Sequence, residues 1–335
     1  MNNEKVLTIT IPSYNVENYL DNILGKLMTS HYLDLLDIIV VDDGSKDNTA
    51  KVANKIAKKA PNSIRVISKP NGGHGSTINT GIQNAVGKYF KVVDADDWLD
   101  TNNLNQVIEL LMEESTDLLL FPYWVFDDQT KQVKLVNSSK LELTENVTFT
   151  VENSGLKRMP EFHQHVIKTQ ILKDNNIIID EHAYYVDTEF IIFPIPFINS
   201  VKFVNIPLYV YRINLASQST SMASLIKNKE RHGFVIDQIQ QYISGYDRTL
   251  PAEKNLLMVN TVSRMIAAQL KILSLGPLNS STYAELVQYM NKVKAEYSFN
   301  ESVINLPIKL LIATNLRIFP VIKLLTYIKS KLVRV

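Results

Sequence analysis

The segment YFKVVDADDWLD, residues 89–100, places Asp94, Asp96, Asp97 and Asp100 within seven positions, directly after a short apolar run. Two unit charges about 5 Å apart repel by roughly 3 kcal/mol at an effective dielectric near 20, so such a cluster calls for a compensating cation. Asp94 and Asp96 flank the small Ala95, and in an extended segment their side chains share one face. Two hard oxygen ligands on one face suit Mg2+ or Mn2+, which keep several waters and share the remaining positions with phosphates. The competing reading is a helix N-terminus with solvated acids. Asp100 fits that reading, because Leu104, Val107, Ile108 and Leu111 follow at helical spacing with Thr101 or Asp100 in the capping position.

Three more segments carry polar chemistry after an apolar run. PSYN offers Tyr14, whose ring can stack on a base, a contact worth on the order of 1–3 kcal/mol. VVDDGS ends in Asp42 and Asp43, and a carboxylate there can accept hydrogen bonds from a base edge or a ribose, although Asp-Gly-Ser is also ordinary turn chemistry. NGGHGS brings Asn71, Gly72 and Gly73 ahead of a helix, where backbone amides can approach phosphate oxygens. It has neither the lysine of a P-loop nor the spacing of a dinucleotide fingerprint. Together the four loops describe a nucleotide diphosphate held by base stacking, an acid contact, glycine amides and a divalent cation.

These loops need a frame, and the pattern supplies one. VLTITIP (6–12), LDIIVVDDGS (36–45), SIRVISK and KYFKVVD (88–94) read as strands, with helices predicted after 20, from about 47 to 60, over STINTGIQNAV and after residue 100. Such alternation predicts a mostly parallel sheet with helices on both faces, and in such sheets ligands bind beyond the carboxyl ends of the strands. DLLLFPYWVF, KQVKLV and VKFVNIPLYVYRI (201–213, broken by Pro207) read as further strands. From about 222 the pattern is helical.

At 335 residues, 45% of them hydrophobic and 21% charged, the chain is long enough for a large core and reads as globular. It has no cysteine, so disulfides, thiolate metal sites and cysteine nucleophiles are excluded. The first residues show no basic segment followed by a long apolar run, and a cytoplasmic location is the expectation. Net charge is +1, yet the last 34 residues hold six basic residues and no acid, leaving the first 301 at −5. Nucleic-acid binding by the main body is therefore disfavoured. In the tail, Val321, Leu324, Leu325, Ile328 and Leu332 share a helical face opposite Lys323, Lys331 and Arg334. Such a helix can lie on an anionic membrane or pack on protein, including a second copy of the chain.

ITIPSYNVENYLDNIL, IIVVDDGSKDNTAKVA, KPNGGHGSTINTGIQNAVGKYFKVVDADDW and YVDTEF resemble, in order and spacing, the inverting family 2 glycosyltransferases with the GT-A fold, over residues 6 to about 220. The resemblance implies a GT-A domain over 1–220, with a nucleotide-sugar half (1–115) and an acceptor half (116–220), followed by a helical extension over 221–335. It implies that Pro12, Ser13, Tyr14 and Asp43 line the base and ribose. Asp94 and Asp96 would be the DXD element that binds the diphosphate through Mn2+ or Mg2+, with Ala95 and Asp97 beside them. The catalytic base would be Asp187, with Glu189 the alternative. His163, Arg212, Gln218 and Ser219 are candidates for the acceptor side or the donor loop, and His163 and His165 would face the same way if extended. Two positions depart from the family pattern: Val186 stands where a glutamate often precedes the base, and Ile78 where an arginine is common. Lys69, His74 or Arg212 would then supply the missing positive charge.

The expectation is a metal-dependent enzyme moving a hexose from a UDP-sugar to a glycan or lipid-linked acceptor in surface polysaccharide assembly. The alternative is a non-catalytic homologue that binds a nucleotide sugar or stabilises a partner. A nucleotidyltransferase ranks third, because PSYNVENY is neither glycine-rich nor basic.

Overall fold

The computed structural model describes residues 4–136, 146–215, 222–246 and 249–321. They fall into two compact units, residues 1–218 and 219–335.

The first unit opens with the alternation read from the sequence: β1 (Leu7–Ser13), α1 (Leu20–Met28), β2 (Leu36–Asp42), α2 (Thr49–Ala57), β3 (Ile64–Ser68), α3 (His74–Asn84) and β4 (Tyr89–Val92). Every residue of β1 and β2 is buried, Thr8, Thr10 and Asp37 included, so both strands are covered on both faces. Ile9, Ile11, Ile38 and Val40 share one core with α1, α2 and the later helix α4 (Thr101–Glu113). On the opposite face α3 approaches β1 so closely that a Cβ on Gly81 would sit 2.2 Å from Thr10 Oγ1.

Beyond β4 come β5 (Trp98–Leu99), β6 (Leu118–Leu120), β7 (Tyr123–Asp127), β8 (Val133–Val136), β9 (Thr148–Thr150), β10 (His165–Lys168), α5 (Thr169–Asp174), α6 (Asp187–Ile192), β11 (Ser200–Phe203) and β12 (Tyr209–Ile213). The large sheet has the order β3-β2-β1-β4-β10-β6-β11-β9, and a second sheet runs β5-β12-β7-β8. From β3 to β4 the pairing is parallel, while β10 is antiparallel to both of its neighbours. Asp100 caps α4, accepting from Asn103 N at 2.9 Å, which is the capping role read for it from the sequence.

Two segments predicted as single strands are each divided between the sheets. Residues 117–126 split at Pro122 into β6 and β7, and 201–213 split around Pro207 into β11 and β12. β6 pairs with β11 in the large sheet and β7 with β12 in the small one, both in parallel. A proline cannot donate to a ladder, so each one marks where the chain leaves one sheet for the next.

The second unit consists of helices: α7 (Met222–Lys227), α8 (Lys229–Ser244), α9 (Ala252–Ser274), α10 (Ser280–Glu296) and α11 (Leu306–Ala313). Leu270, Leu273, Leu286, Met290, Ile308 and Phe319 form its core. α9 is long and apolar enough to cross a membrane by length and composition, and 72% of that stretch is buried. Of the predicted amphipathic tail only Val321 belongs to the described residues, where it is exposed; the rest lies outside them.

Lys202 of β11 reaches back to Glu114, after α4, at 2.5 Å. Burial raises the Glu114 pKa, but Lys202, the Thr116 hydroxyl and the amides of Thr116 and Ser115 outweigh it and hold it at about 2. A depressed carboxylate stabilises the fold above its unfolded pKa and loses that contribution as pH falls through the folded value. Glu114→Gln should therefore cost about 1–3 kcal/mol in chemical denaturation at pH 7, and the gap to wild type should close between about pH 4.5 and 2.

Candidate active site

The register of the large sheet brings the four loops to one edge. Ser13 is opposite Asp42, Asp42 opposite Ser68, and Thr10 opposite Val92, two residues before Asp94. The strand order reverses between β1 and β4, the position where open α/β sheets bind ligands beyond their carboxyl ends. The acids and glycines described above meet at that crevice.

The loops after β1 and β2 are laced together. Asn15 adopts a left-handed conformation (φ 54°), its amide donates to Ser45 Oγ, and its Oδ1 accepts from Lys46 N. Glu17 N donates to Asp47, while Glu17 accepts from Asn48 N. Tyr14 stays 45% exposed at the end of β1 and free to stack. Asp42 closes its own turn by accepting from Ser45 N at 3.1 Å.

Asp43 is 2% exposed and binds the next loop through both oxygens. Gly72 N and Gly73 N each donate at 2.8 Å, Asn71 Nδ2 at 3.0 Å and Lys69 Nζ at 3.0 Å. The carboxylate expected to meet the base thus holds the glycine-rich loop in place, and Lys69, a candidate for the missing positive charge, is spent on Asp43 and Ser76. Gly73 sits at φ +85°, a conformation that favours glycine, and initiates α3.

The acid cluster departs from the expected extended form. Asp97 N donates to Asp94 O at 3.0 Å, so residues 94–97 form a turn rather than a strand end with alternating faces. Asp97 points inward and accepts from Tyr209 Oη at 2.5 Å and from Arg212 N at 2.7 Å, which ties the turn to β12. Asp94 and Asp96 remain half-buried with side chains able to take a ligand. Burial pushes both of their pKa values up. Arg212 lies over the Tyr19 ring and pairs with Asp128 at 2.7 Å.

α6 delivers Asp187 to this turn through His74. His74 Nε2 lies 3.3 Å from Asp187 Oδ1 and 3.8 Å from Asp94 Oδ1, and the three side chains keep 30%, 43% and 28% of their surface exposed. Asp187 occupies the first helical position with Val186 as the cap residue, so its carboxylate is not spent on capping. Burial opposes a charge on His74, but Asp187, Asp94 and Asp96 outweigh it and raise the imidazole pKa to about 9. The same cation holds Asp187 below the usual carboxylate range against its own burial. Glu189, by contrast, is fully buried and its Oε2 accepts from Asp180 N at 2.8 Å, so of the two acids only Asp187 faces the site.

His163 and His165 diverge, because residues 162–164 form a 3-10 turn. His165 Nε2 meets the Pro160 carbonyl at 3.1 Å, whereas His163 sits among Phe162, Tyr123, Tyr209 and Tyr211 with ring separations of 4.2–5.2 Å. Burial lowers both imidazoles to a pKa of about 3, and His163 Nδ1 is buried without a hydrogen-bond partner. Beneath them Lys91, fully buried, donates to the His163 and His165 carbonyls at 2.7 and 3.1 Å and lies 5.2 Å from the Tyr209 ring. A lysine inside an apolar strand was the signal available for it in the sequence. Tyr209, which holds Asp97, gave no such signal. Gln218 and Ser219 lie outside the described residues.

The family model "Glycosyl transferase family 2" matches residues 8–174, about half of the chain and all four loops. The chain belongs to glycosyltransferase family 2. An uncharacterized glycosyltransferase of Nostoc sp. is 24% identical over 75% of this chain and 80% of its own length. The uncharacterized glycosyltransferase EpsJ of Bacillus subtilis is 26% identical over 62% of this chain and 61% of its own. Glycosyltransferase GlyA of Streptococcus pneumoniae is 31% identical over 36% of this chain, a match spanning only 17% of GlyA. Among solved structures, S. aureus TarS 1–349 in complex with UDP-GlcNAc superposes with a TM-score of 0.64 at 17% identity, covering 89% of this chain and 82% of that one. The mannosyltransferase PcManGT from Pyrobaculum calidifontis, in complex with GDP-Man and Mn2+, gives 0.53 at 15% identity, covering 92% and 79%. The fold is GT-A, followed by a helical C-terminal region.

The glycine-rich loop packs on the segment ahead of α6, and a Cβ on Gly75 would lie 2.1 Å from Asp180 O, whereas one on Gly25 in α1 would meet nothing within 4 Å. Gly75→Ala should lower the melting temperature and weaken nucleotide binding together. Gly25→Ala should stabilise the fold by about 0.5–1 kcal/mol and leave binding unchanged.

Proposed function

We propose that the protein is an inverting glycosyltransferase that moves a hexose from a UDP-sugar to a hydroxyl of a glycan or lipid-linked acceptor during surface polysaccharide assembly. The observation that carries this reading is the convergence of Asp94, Asp96 and Asp187 at the crevice beyond β1 and β4. The hyaluronan synthase of Pasteurella multocida, 32% identical over 35% of this chain, supports the polysaccharide setting, and the UDP-GlcNAc complex of TarS supports the donor.

Asp94 and Asp96 fit a divalent cation by donor chemistry, since both are hard oxygen ligands crowded together and pushed up by burial. Mg2+ or Mn2+ held there would take its remaining ligands from the diphosphate and water. Such an ion would offset charge developing on the leaving diphosphate. Asp187, held ionised by His74, accepts the acceptor hydroxyl's proton as that oxygen attacks the anomeric carbon from the face opposite the diphosphate. His163, neutral and with an unpartnered nitrogen, is placed to bind an acceptor hydroxyl among its aromatic neighbours. Tyr14 would stack on the base, whereas the Gly72 and Gly73 amides, expected from the sequence to meet phosphate, are spent on Asp43 and hold the loop in place instead. The basic tail would rest on the inner face of the cell membrane, where lipid-linked acceptors present their sugars, each basic residue contributing about 1 kcal/mol near an anionic surface.

Asp187→Asn should leave UDP binding intact and lower kcat by about 10²–10⁴. Asp96→Ala should abolish transfer at unchanged melting temperature. A thermal-shift series with UDP, GDP, CDP and dTDP, each with and without Mn2+, should show a metal-dependent rise for UDP alone. Tight UDP binding with neither transfer nor donor hydrolysis would instead favour the non-catalytic reading.

A further inference from the structure

Two buried carboxylate oxygens in the first unit have no hydrogen-bond partner: Glu189 Oε1 on α6 and Asp180 Oδ2 in the segment leading to it. Both acids belong to the structure that presents Asp187. That segment is fastened at several points: Asn79 brackets Ile179, donating to its carbonyl and accepting from its amide at 2.8 Å each, and His182 N donates to Gly72 O at 2.5 Å. Glu189 Oε2 takes the Asp180 amide at 2.8 Å, and the Asp180 side chain lies within hydrogen-bonding reach of the Glu189 carboxyl. Two ionised carboxylates in contact at a site with no solvent on Glu189 would repel, and each would leave an acceptor unsatisfied.

We propose that Glu189 is a positioning residue that acts as a neutral acid, donating its proton from Oε1 to Asp180 Oδ2 and thereby locking the segment that sets Asp187 against His74. A single proton satisfies both orphaned oxygens and makes a charge-assisted O–H···O bond, among the stronger kinds available to a protein. The positioning half rests on the reading of Asp187 as the base. The acidic groups facing Glu189 are Asp180 and, earlier in the same helix, Asp187, while His74 of α3 reaches Asp187. Burial raises the Glu189 pKa first, the Asp180 amide opposes it, and the Asp180 and Asp187 charges add to it, giving about 8.

The proton makes the lock readable without catalysis. An acid whose folded pKa exceeds its unfolded one binds more protons when folded, so its stabilisation is present at low pH and declines as pH rises from about 4.5 to 8. Melting temperature against pH is compared for wild type and Glu189→Gln, whose amide supplies a permanent donor to Asp180. The variant should lose that decline and exceed the wild type above about pH 8. Parallel curves for the two proteins would overturn the shared proton. For the positioning half, Glu189→Ala should speed hydrogen exchange over residues 179–187 and lower kcat about tenfold or more with donor KM within about threefold. Glu189→Gln should restore kcat at pH 7 and carry activity to higher pH than wild type. Unchanged exchange over 179–187 in Glu189→Ala would overturn the positioning role. Absence of transfer in the wild type itself would count against Asp187 as a base, and the melting and exchange measurements decide the lock independently of it.

Discussion

The site depends on one buried carboxylate. Asp43 at the end of β2 accepts from Gly72 N, Gly73 N, Asn71 and Lys69, and through them it fixes where α3 begins. α3 begins at His74, and His74 reaches Asp94 in one direction and Asp187 in the other. A carboxylate taken out of water must be fully satisfied to be tolerated, so the chain invests both glycine amides and a lysine in it. Two glycines of this loop have separate reasons: Gly73 starts α3 from a positive φ, and Gly75 must pass against Asp180 O.

Like charges gathered at one sheet edge would ordinarily destabilise a fold, and here they are separated by function. Asp97 is turned inward, where it accepts hydrogen bonds from Tyr209 and the Arg212 amide, Asp128 pairs with the Arg212 side chain, and His74 balances Asp94 and Asp187. What remains open to a ligand is the pair Asp94 and Asp96, whose pKa values burial raises. A donor diphosphate with its cation completes this balance, which ties substrate binding to the electrostatics of the folded state.

Much of the first unit was legible in the sequence because its strands are short apolar runs ending in polar loops. β1 to β4 and the helices between them follow from periodicity, and the meeting of four loops at one edge follows from parallel pairing. The second half was less legible. Pro122 and Pro207 interrupt continuous apolar runs, and local pattern does not distinguish a kinked strand from a change of sheet. β10 and β9 are antiparallel insertions of four and three residues whose apolar content is too short to signal direction.

The sequence by itself determined the chemistry on offer: which acids, which glycines, the absence of cysteine, and the order of motifs that marks family 2. Those are properties of residue type and spacing. Tertiary structure decided which acids do what, because that depends on burial and partners contributed by distant segments. Asp43 became a loop anchor, Asp97 a strut and Glu189 an interior acid only once Gly72, Tyr209 and Asp180 were brought beside them. His74 became the link between Asp94 and Asp187, more than ninety residues apart in sequence, for the same reason.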